Sequence, residues 1–186
     1  EVDGGSFRTK YINQVHYLAK AADKKYWHQQ LNRNLGHFAQ HSNGVIGDVK
    51  PAKVDNHALP GVKGRGAIAF EIGDKDPLVV IIAHLALGKQ TQDLQLDYLK
   101  SIIDNYEHAV IMGDLNTDSM RILKNSPLMN SGLKAAHARP TYPSWQPVKC
   151  LDHILVSDHI DIVRMGVLDF ALSDHLPVAL EIRIPE

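Results

Sequence analysis

The stretch His108-Ala-Val-Ile-Met-Gly-Asp-Leu-Asn-Thr-Asp118 decides how this chain is read. Ala109, Val110, Ile111 and Met112 form a short apolar run, the mark of a buried strand. Gly113 breaks it, and two small polar side chains, Asp114 and Asn116, follow one residue apart. Alternation along an extended chain puts both on one face. A carboxylate beside a carboxamide at a strand's end suits metal-bound phosphate. One group takes a proton or holds a cation, and the other donates to an oxyanion. Taken alone, Gly-Asp-x-Asn after a strand is more often a turn. The other acidic and histidine positions decide whether it is more.

Upstream, residues 78–84, Leu-Val-Val-Ile-Ile-Ala-His, are rich in β-branched residues and almost wholly apolar, which predicts a central strand buried on both faces, with His84 at its end. Leu96, Leu99, Ile102 and Ile103 recur at helical spacing, so residues 92–105 should be a helix over the sheet. Residues 43–49 and 65–72 read as strands around a Pro- and Gly-rich loop at 51–64. Residues 26–31 read as a further strand, followed by a turn at 32–36. Tyr11, Val15, Leu18 and Ala22 predict an amphipathic helix over residues 7–22, with Arg8 near its start as a solvated residue or a phosphate contact. His28, His37 and His41 fit no compact zinc motif and read as a polar wall or surface loop.

Downstream, residues 118–123 open a short helix, and residues 126–147 form a loop containing Thr141-Tyr142-Pro143-Ser144-Trp145. Leu151-Asp152-His153 begins a strand over 151–157, residues 161–168 alternate, and Ser173-Asp174-His175-Leu176-Pro177 precedes a last strand at 178–184. No repeat, linker or low-complexity block divides the chain, so residues 1–186 are expected to form one domain. Strands outnumber helices, which favours an α/β sandwich over a doubly wound sheet.

Composition narrows the function. A hydrophobic fraction of 44% is that of a globular protein. Net charge of -1 supplies no global field for long DNA, so nucleic-acid binding would be local. The single Cys150 excludes an internal disulfide framework and a cysteine-based zinc site, and reads as a buried thiol. No run reaches the roughly 18 apolar residues that span a membrane. The expectation is a soluble monomer, cytoplasmic by default.

Glu1, His84, Asp114, Asn116, Asp152, Asp174 and His175 all fall where an apolar strand begins or ends. If those strands share sheets, the polar ends converge on one rim, where the carboxylates repel unless a cation offsets them. A hard oxygen site points to Mg²⁺, with Mn²⁺ or Ca²⁺ as alternatives. An Asp beside a His can orient it and stabilise its protonated form during proton transfer.

With Glu1-Val2-Asp3, Ala83-His84-Leu85, Gly113-Asp114-Leu115-Asn116, Leu151-Asp152-His153-Ile154 and Ser173-Asp174-His175-Leu176-Pro177 in this order, the whole chain resembles the endonuclease/exonuclease/phosphatase superfamily. His84 to Gly88 and Thr141 to Ser144 resemble its bacterial domain-level members in particular. The resemblance implies a two-layered β-sandwich, two mixed sheets face to face, flanked by helices in a four-layer α/β/β/α arrangement. It also implies a strand carrying an Asn and a helix ahead of Glu1. The chain shows neither, so the domain is expected to be N-terminally incomplete.

The roles implied are specific. Glu1 and Asp174 bind or adjoin the divalent ion, and Asp114 orients or deprotonates the attacking water. Asn116 holds a phosphate oxygen and fixes Asp114. His175, paired with Asp152, contacts the scissile phosphate or moves protons. His84 assists the leaving group or binds phosphate, and His153 has a supporting part. Arg8 and Tyr142 join Asn116 as substrate-binding candidates. The implied activity is metal-dependent phosphoester hydrolysis, foremost of a phosphodiester in a nuclease-type reaction. A phosphatase or a sphingomyelinase-like lipid phosphodiesterase is the alternative, so the substrate is a nucleic acid, a phospholipid or a small phosphate ester. A basic groove along Arg33, Lys53, Lys63 and Arg65 would favour nucleic acid. An apolar rim near Tyr142 and Trp145 would favour a lipid or small substrate. A non-catalytic binding module that kept the scaffold is the rival of another class.

Overall fold

The computed structural model describes residues 2–184. In chain order it contains β1 (Val2–Asp3), a 3-10 turn (Phe7–Thr9), α1 (Gln14–Ala21), β2 (Tyr26–Asn34), β3 (Gln40–Gly47), β4 (Lys53–Ala58), β5 (Gly66–Ile72) and β6 (Leu78–Ala83). Then come α2 (Lys89–Ile103), β7 (His108–Asp114), α3 (Ser119–Lys124), β8 (Leu133–Ala135), β9 (Asp152–Ser157), β10 (Asp161–Val167) and β11 (Val178–Arg183). A six-stranded mixed sheet runs in the order β4-β5-β6-β7-β9-β8. Its β6 and β7 are parallel, joined across one face by α2.

Burial on both faces explains the unbroken apolar run of β6. Val79, Ile81 and Ala83 pack with Ala109 and Ile111 of β7 against Leu96, Leu99 and Ile103 of α2. Leu78 and Val80 point the other way with Val110, Ile154 and Val156, toward Ile162, Val178, Leu180 and Ile182 of the β10–β11 hairpin. Each fully buried Leu or Ile here contributes about 1.5–3 kcal/mol. The opposing layer consists of two antiparallel pieces, β1-β3-β2 and β10-β11. Asn43 Nδ2 donates to Gly66 O (2.9 Å) and Gln30 Nε2 to His57 O (2.8 Å), tying the first piece to the β4–β5 end. The sandwich with helices outside is therefore present. Among the described residues, only the six-stranded sheet is mixed, where two mixed sheets were expected.

Several boundaries move for identifiable reasons. Residues 7–22 are not one helix. Lys10 and Tyr11 have φ of 53° and 62°, and Asn13 starts α1 by accepting from His16 N at 3.0 Å, as a side chain favoured at N-caps does. α1 then buries Val15 and Ala19, leaving Tyr11 and Leu18 exposed. The expected loops at 51–64 and 126–147 contain the edge strands β4 and β8. Edge strands carry polar residues and lack the apolar pattern of central ones. The turn expected at 32–36 starts later, because β2 continues to Asn34 as half of a hairpin with β3. Among the described residues, no helix is long and apolar enough to cross a membrane.

Gly113 does not break β7. It lies inside the strand opposite His153, with φ of 135°. A Cβ at this position would stand 2.0 Å from Ala83 O, so only glycine lets β6 and β7 close together beneath Asp114. Gly113→Ala is expected to destabilise the fold by at least about 2 kcal/mol, since it adds both a backbone clash and a strained φ. Urea unfolding measures this, and a midpoint equal to that of the parent protein would contradict the argument.

Candidate active site

A cavity of about 800 Å³ opens between β1–β3 and the ends of β6, β7 and β9. Arg8, His84, Asp114, Asp152, Asp174 and His175 all line it. These positions span the chain from end to end. Strand pairing and two loops bring them together.

Asp114 closes β7 and Asp152 opens β9, and the antiparallel register sets them directly opposite each other. His175 Nδ1 lies 2.7 Å from Asp152 Oδ2. With Nδ1–H donating to that carboxylate, Nε2 is left for the cavity. The loop carrying His175 is held by the loop at residues 141–144. Ser144 N donates to Asp174 O (2.8 Å), Ser144 Oγ to Ser173 O (2.5 Å), and Leu176 N to Thr141 O (2.9 Å). Tyr142 does not line the cavity. Its ring packs against the His175 ring, with centroids 4.8 Å apart.

Asn116 is placed differently from the sequence expectation. Its φ of 52° takes it out of the extended chain, so alternation does not align it with Asp114. An Asx-type turn does that work: Asn116 N donates to Asp114 Oδ1 at 3.0 Å. Its Nδ2 donates to Leu85 O (2.9 Å), and its side chain is absent from the cavity lining. Asn116 thus fixes Asp114 and knits together the loops after β6 and β7. Gln92 and Gln95, buried on α2, complete this support. Gln92 Nε2 donates to Ala86 O (2.8 Å) and Asn116 O (3.0 Å), and Gln95 Oε1 accepts from Ala86 N (2.9 Å).

Arg65 joins the site beyond the sequence expectation for it. Its Nη1 stands 2.6 Å from His84 Nε2, which in turn lies 3.5 Å from Asp114 Oδ2. A guanidinium only donates, so His84 Nε2 is the acceptor in this contact. The signal was available, because Arg65 sits just before an apolar strand like the other site residues. Of the residues expected to line a basic groove, Arg33 packs beside Gly64, next to Lys63 and Arg65, but Lys53 stands apart from them. Lys53 lies at the far end of β4, paired with Asp55 (2.9 Å) and Glu71 (3.5 Å).

The opposite wall contains Gln14, Gln40, His41 and Asn43. Residues 28–43 are thus partly the polar wall expected of them. Asp3 builds the corner that carries Arg8. Its carboxylate accepts from Gly5 N (2.9 Å), Ser6 N (2.6 Å) and Ser6 Oγ (2.7 Å). Burial pushes the Asp3 carboxyl up, but hydrogen bonds from Ser6, Gly5 and Gln40 together hold it well below the usual carboxylate range. His153 is 1% exposed, and its Nε2 meets Thr117 O at 2.7 Å, a supporting role. Cys150, expected to be buried, is partly exposed, and burial of its thiol chiefly pushes the pKa up to about 11. Glu1, an expected metal ligand, lies outside the described residues.

Ligand atoms of Asp114, Asp152 and His175 lie within 4.8 Å of one another. Burial, then the Asp152 charge, raise the Asp114 pKa, against the lowering effects of Asn116 N–H, His175 and Arg65. Two opposed carboxylates in a partly buried cleft fit a divalent cation, which would relieve that repulsion. Asp174 is exposed on the cavity rim, outside the group of side chains whose ligand atoms converge.

A raised carboxyl pKa has a definite consequence for stability. Ionising Asp114 costs the fold free energy, a penalty absent below the unfolded value of 3.8 and growing as pH rises toward the folded-state value. Asp114→Asn is expected to raise the melting temperature of EDTA-treated protein at neutral pH, with the advantage shrinking toward about pH 4. Thermal melts at several pH values test this. An advantage that grows on acidification would reverse the sign and overturn it.

A search of curated sequences finds no match. Among solved structures, mannosyl-6-phosphatase from Bacteroides thetaiotaomicron VPI-5482 is 16% identical with a TM-score of 0.71, the match covering 92% of this chain and 81% of that one. TDP2 from D. rerio, complexed with single-strand DNA product, is 18% identical with a TM-score of 0.68, covering 91% and 81%. The human nocturnin catalytic domain with bound sulfate is 17% identical with a TM-score of 0.65, covering 90% and 74%. At these identities the likeness establishes the fold. The sequence profile described as Endonuclease/Exonuclease/phosphatase family matches residues 14–175, most of the chain, and the protein therefore belongs to the endonuclease/exonuclease/phosphatase family.

Proposed function

We propose that this protein is a divalent-cation-dependent hydrolase of phosphoester bonds, and foremost of phosphodiesters. The observation that carries the reading is the Asp152–His175 pair standing across the strand register from a carboxylate, Asp114, with a raised pKa. A carboxyl pushed up by burial beside an oriented histidine in a cleft is the mark of an acid–base site. A non-catalytic module would have no need to keep this arrangement, which costs stability.

A bound cation, Mg²⁺ or Mn²⁺, would neutralise charge on the phosphate, with Asp174 and Glu1 as proposed ligands beside the Asp114 and Asp152 carboxylates. The rest belongs to the chain itself. Asp114, fixed by Asn116 N–H, takes a proton from the attacking water. His175, held by Asp152 through Nδ1, donates from a protonated Nε2 to a phosphate oxygen or passes that proton to the leaving oxygen. His84, against Arg65, lies on the side of Asp114 away from His175, and Arg8 faces the same cavity as a second cation for the phosphate.

One observation favours the alternative of a lipid or other partly apolar phosphoester. Trp145 and Leu172 are 74% and 80% exposed, on the two loops that Ser144 joins beside Tyr142. Such a rim suits an apolar substrate moiety better than a polyanionic strand.

Asp114→Ala and His175→Ala are each expected to lower kcat by about 10²–10⁴-fold with an unchanged circular dichroism spectrum. The assays are hydrolysis of bis(p-nitrophenyl) phosphate, p-nitrophenyl phosphate, single-strand DNA and sphingomyelin, with Mg²⁺ and with EDTA. Full activity in both variants, or in EDTA, would refute the mechanism. Turnover of sphingomyelin, with neither DNA nor bis(p-nitrophenyl) phosphate cleaved, would select the alternative substrate class.

A further inference from the structure

A second cluster of metal-ligating side chains lies at the other end of β7. His108 begins the strand that Asp114 ends, about 20 Å away at roughly 3.3 Å per residue. His108 Nδ1 faces His159 Nε2 at 2.9 Å, and a Glu107 carboxylate oxygen completes a set whose atoms lie within 4.8 Å of one another. We propose that Glu107, His108 and His159 form a binding site for a divalent transition-metal ion, zinc above all, separate from the catalytic cleft.

Four features carry this reading. The donor set is two imidazoles and a carboxylate, which suits Zn²⁺ rather than the all-oxygen preference of Mg²⁺. The rings are already aimed at one another. Two Zn–N bonds of about 2.0–2.1 Å at a tetrahedral angle separate the nitrogens by about 3.4 Å, so the pair needs to open by only about half an ångström. His159, on the short turn between β9 and β10, can make that adjustment, whereas His108 is buried and held at the start of a central strand. Finally, Asp158 Oδ1 stands 3.7 Å from His159 Nδ1, beyond hydrogen-bond distance but close enough for its charge to favour a metal-bound imidazole.

The surroundings are preorganised. Ala109 N donates to Ser157 Oγ (2.9 Å), and Asp158 N donates to Gly132 O (2.7 Å), pinning the turn to β7 and to the loop before β8. Ser131 Oγ is buried without a hydrogen-bond partner, and lines a cavity of about 210 Å³ together with Glu107 and His159. That hydroxyl is available to a metal-bound water. An ion here cross-links β7 to the β9–β10 turn, and so staples from behind the two strands that present Asp114 and Asp152.

The test is equilibrium dialysis of the EDTA-stripped full chain against Zn²⁺ in excess Mg²⁺, with melting temperature as a second readout. Asp114→Asn is expected to keep the zinc equivalent and its thermal stabilisation. His159→Gln, on an exposed turn, is expected to lose both, with at least a tenfold fall in affinity. Asp158→Asn is expected to weaken zinc binding by about 10–100-fold. Zinc binding of equal stoichiometry and affinity in the parent and His159→Gln proteins would overturn the proposal, as would displacement of the ion by Mg²⁺.

Discussion

The antiparallel pairing of β7 with β9 is the constraint on which the rest depends. Its register sets Val110 opposite Val156 in the core and Asp114 opposite Asp152 at the rim. A slip by one residue would turn every side chain of one strand to the wrong face, burying charge and exposing the core. Hydrophobic burial along the strands therefore determines carboxylate geometry at their ends. The cleft inherits its order from packing that has no chemistry of its own.

That order opposes the fold's own preference. Two acids side by side, one with its pKa raised mainly by burial, are a cost borne by the core beneath them. The supporting shell limits it with neutral polar groups. Gln92, Gln95 and Asn116 hold the loops after β6 and β7, and Ser144 and Thr141 hold the loop carrying Asp174 and His175. Each satisfies backbone groups that would otherwise be left unpaired in a crowded region. The chemical groups are therefore positioned by bonds made almost entirely to main chain.

The readable parts of the sequence were those where one force dominates. Residues 78–83 could only be a strand buried on both faces, and Leu96, Leu99 and Ile103 could only face a sheet. β4 and β8 were hidden because an edge strand obeys hydrogen bonding without an apolar pattern. The helix expected over residues 7–22 failed because a capping Asn13 and positive φ at Lys10 and Tyr11 outweighed an apolar periodicity. At the site, His84, Asp114, Asp152, Asp174 and His175 were recognisable by their places at strand ends. Arg65 is legible only as one cation of a groove, and its approach to His84 is not, while Gln92 and Gln95 carry no signal because a glutamine on a helix is ordinarily solvated.

By itself the sequence determined which residues lie inside, which strands are central, and which polar residues stand at their ends, because burial and chain period are local properties. Only the tertiary structure decided which of those ends meet. The Asp114–Asp152 register, the hand-over of His175 to Asp152, the withdrawal of Asn116 behind Asp114 and the approach of Arg65 to His84 join residues tens of positions apart or turn on one left-handed φ. Such contacts arise from strand pairing and loop closure across the whole chain, and no local pattern encodes them.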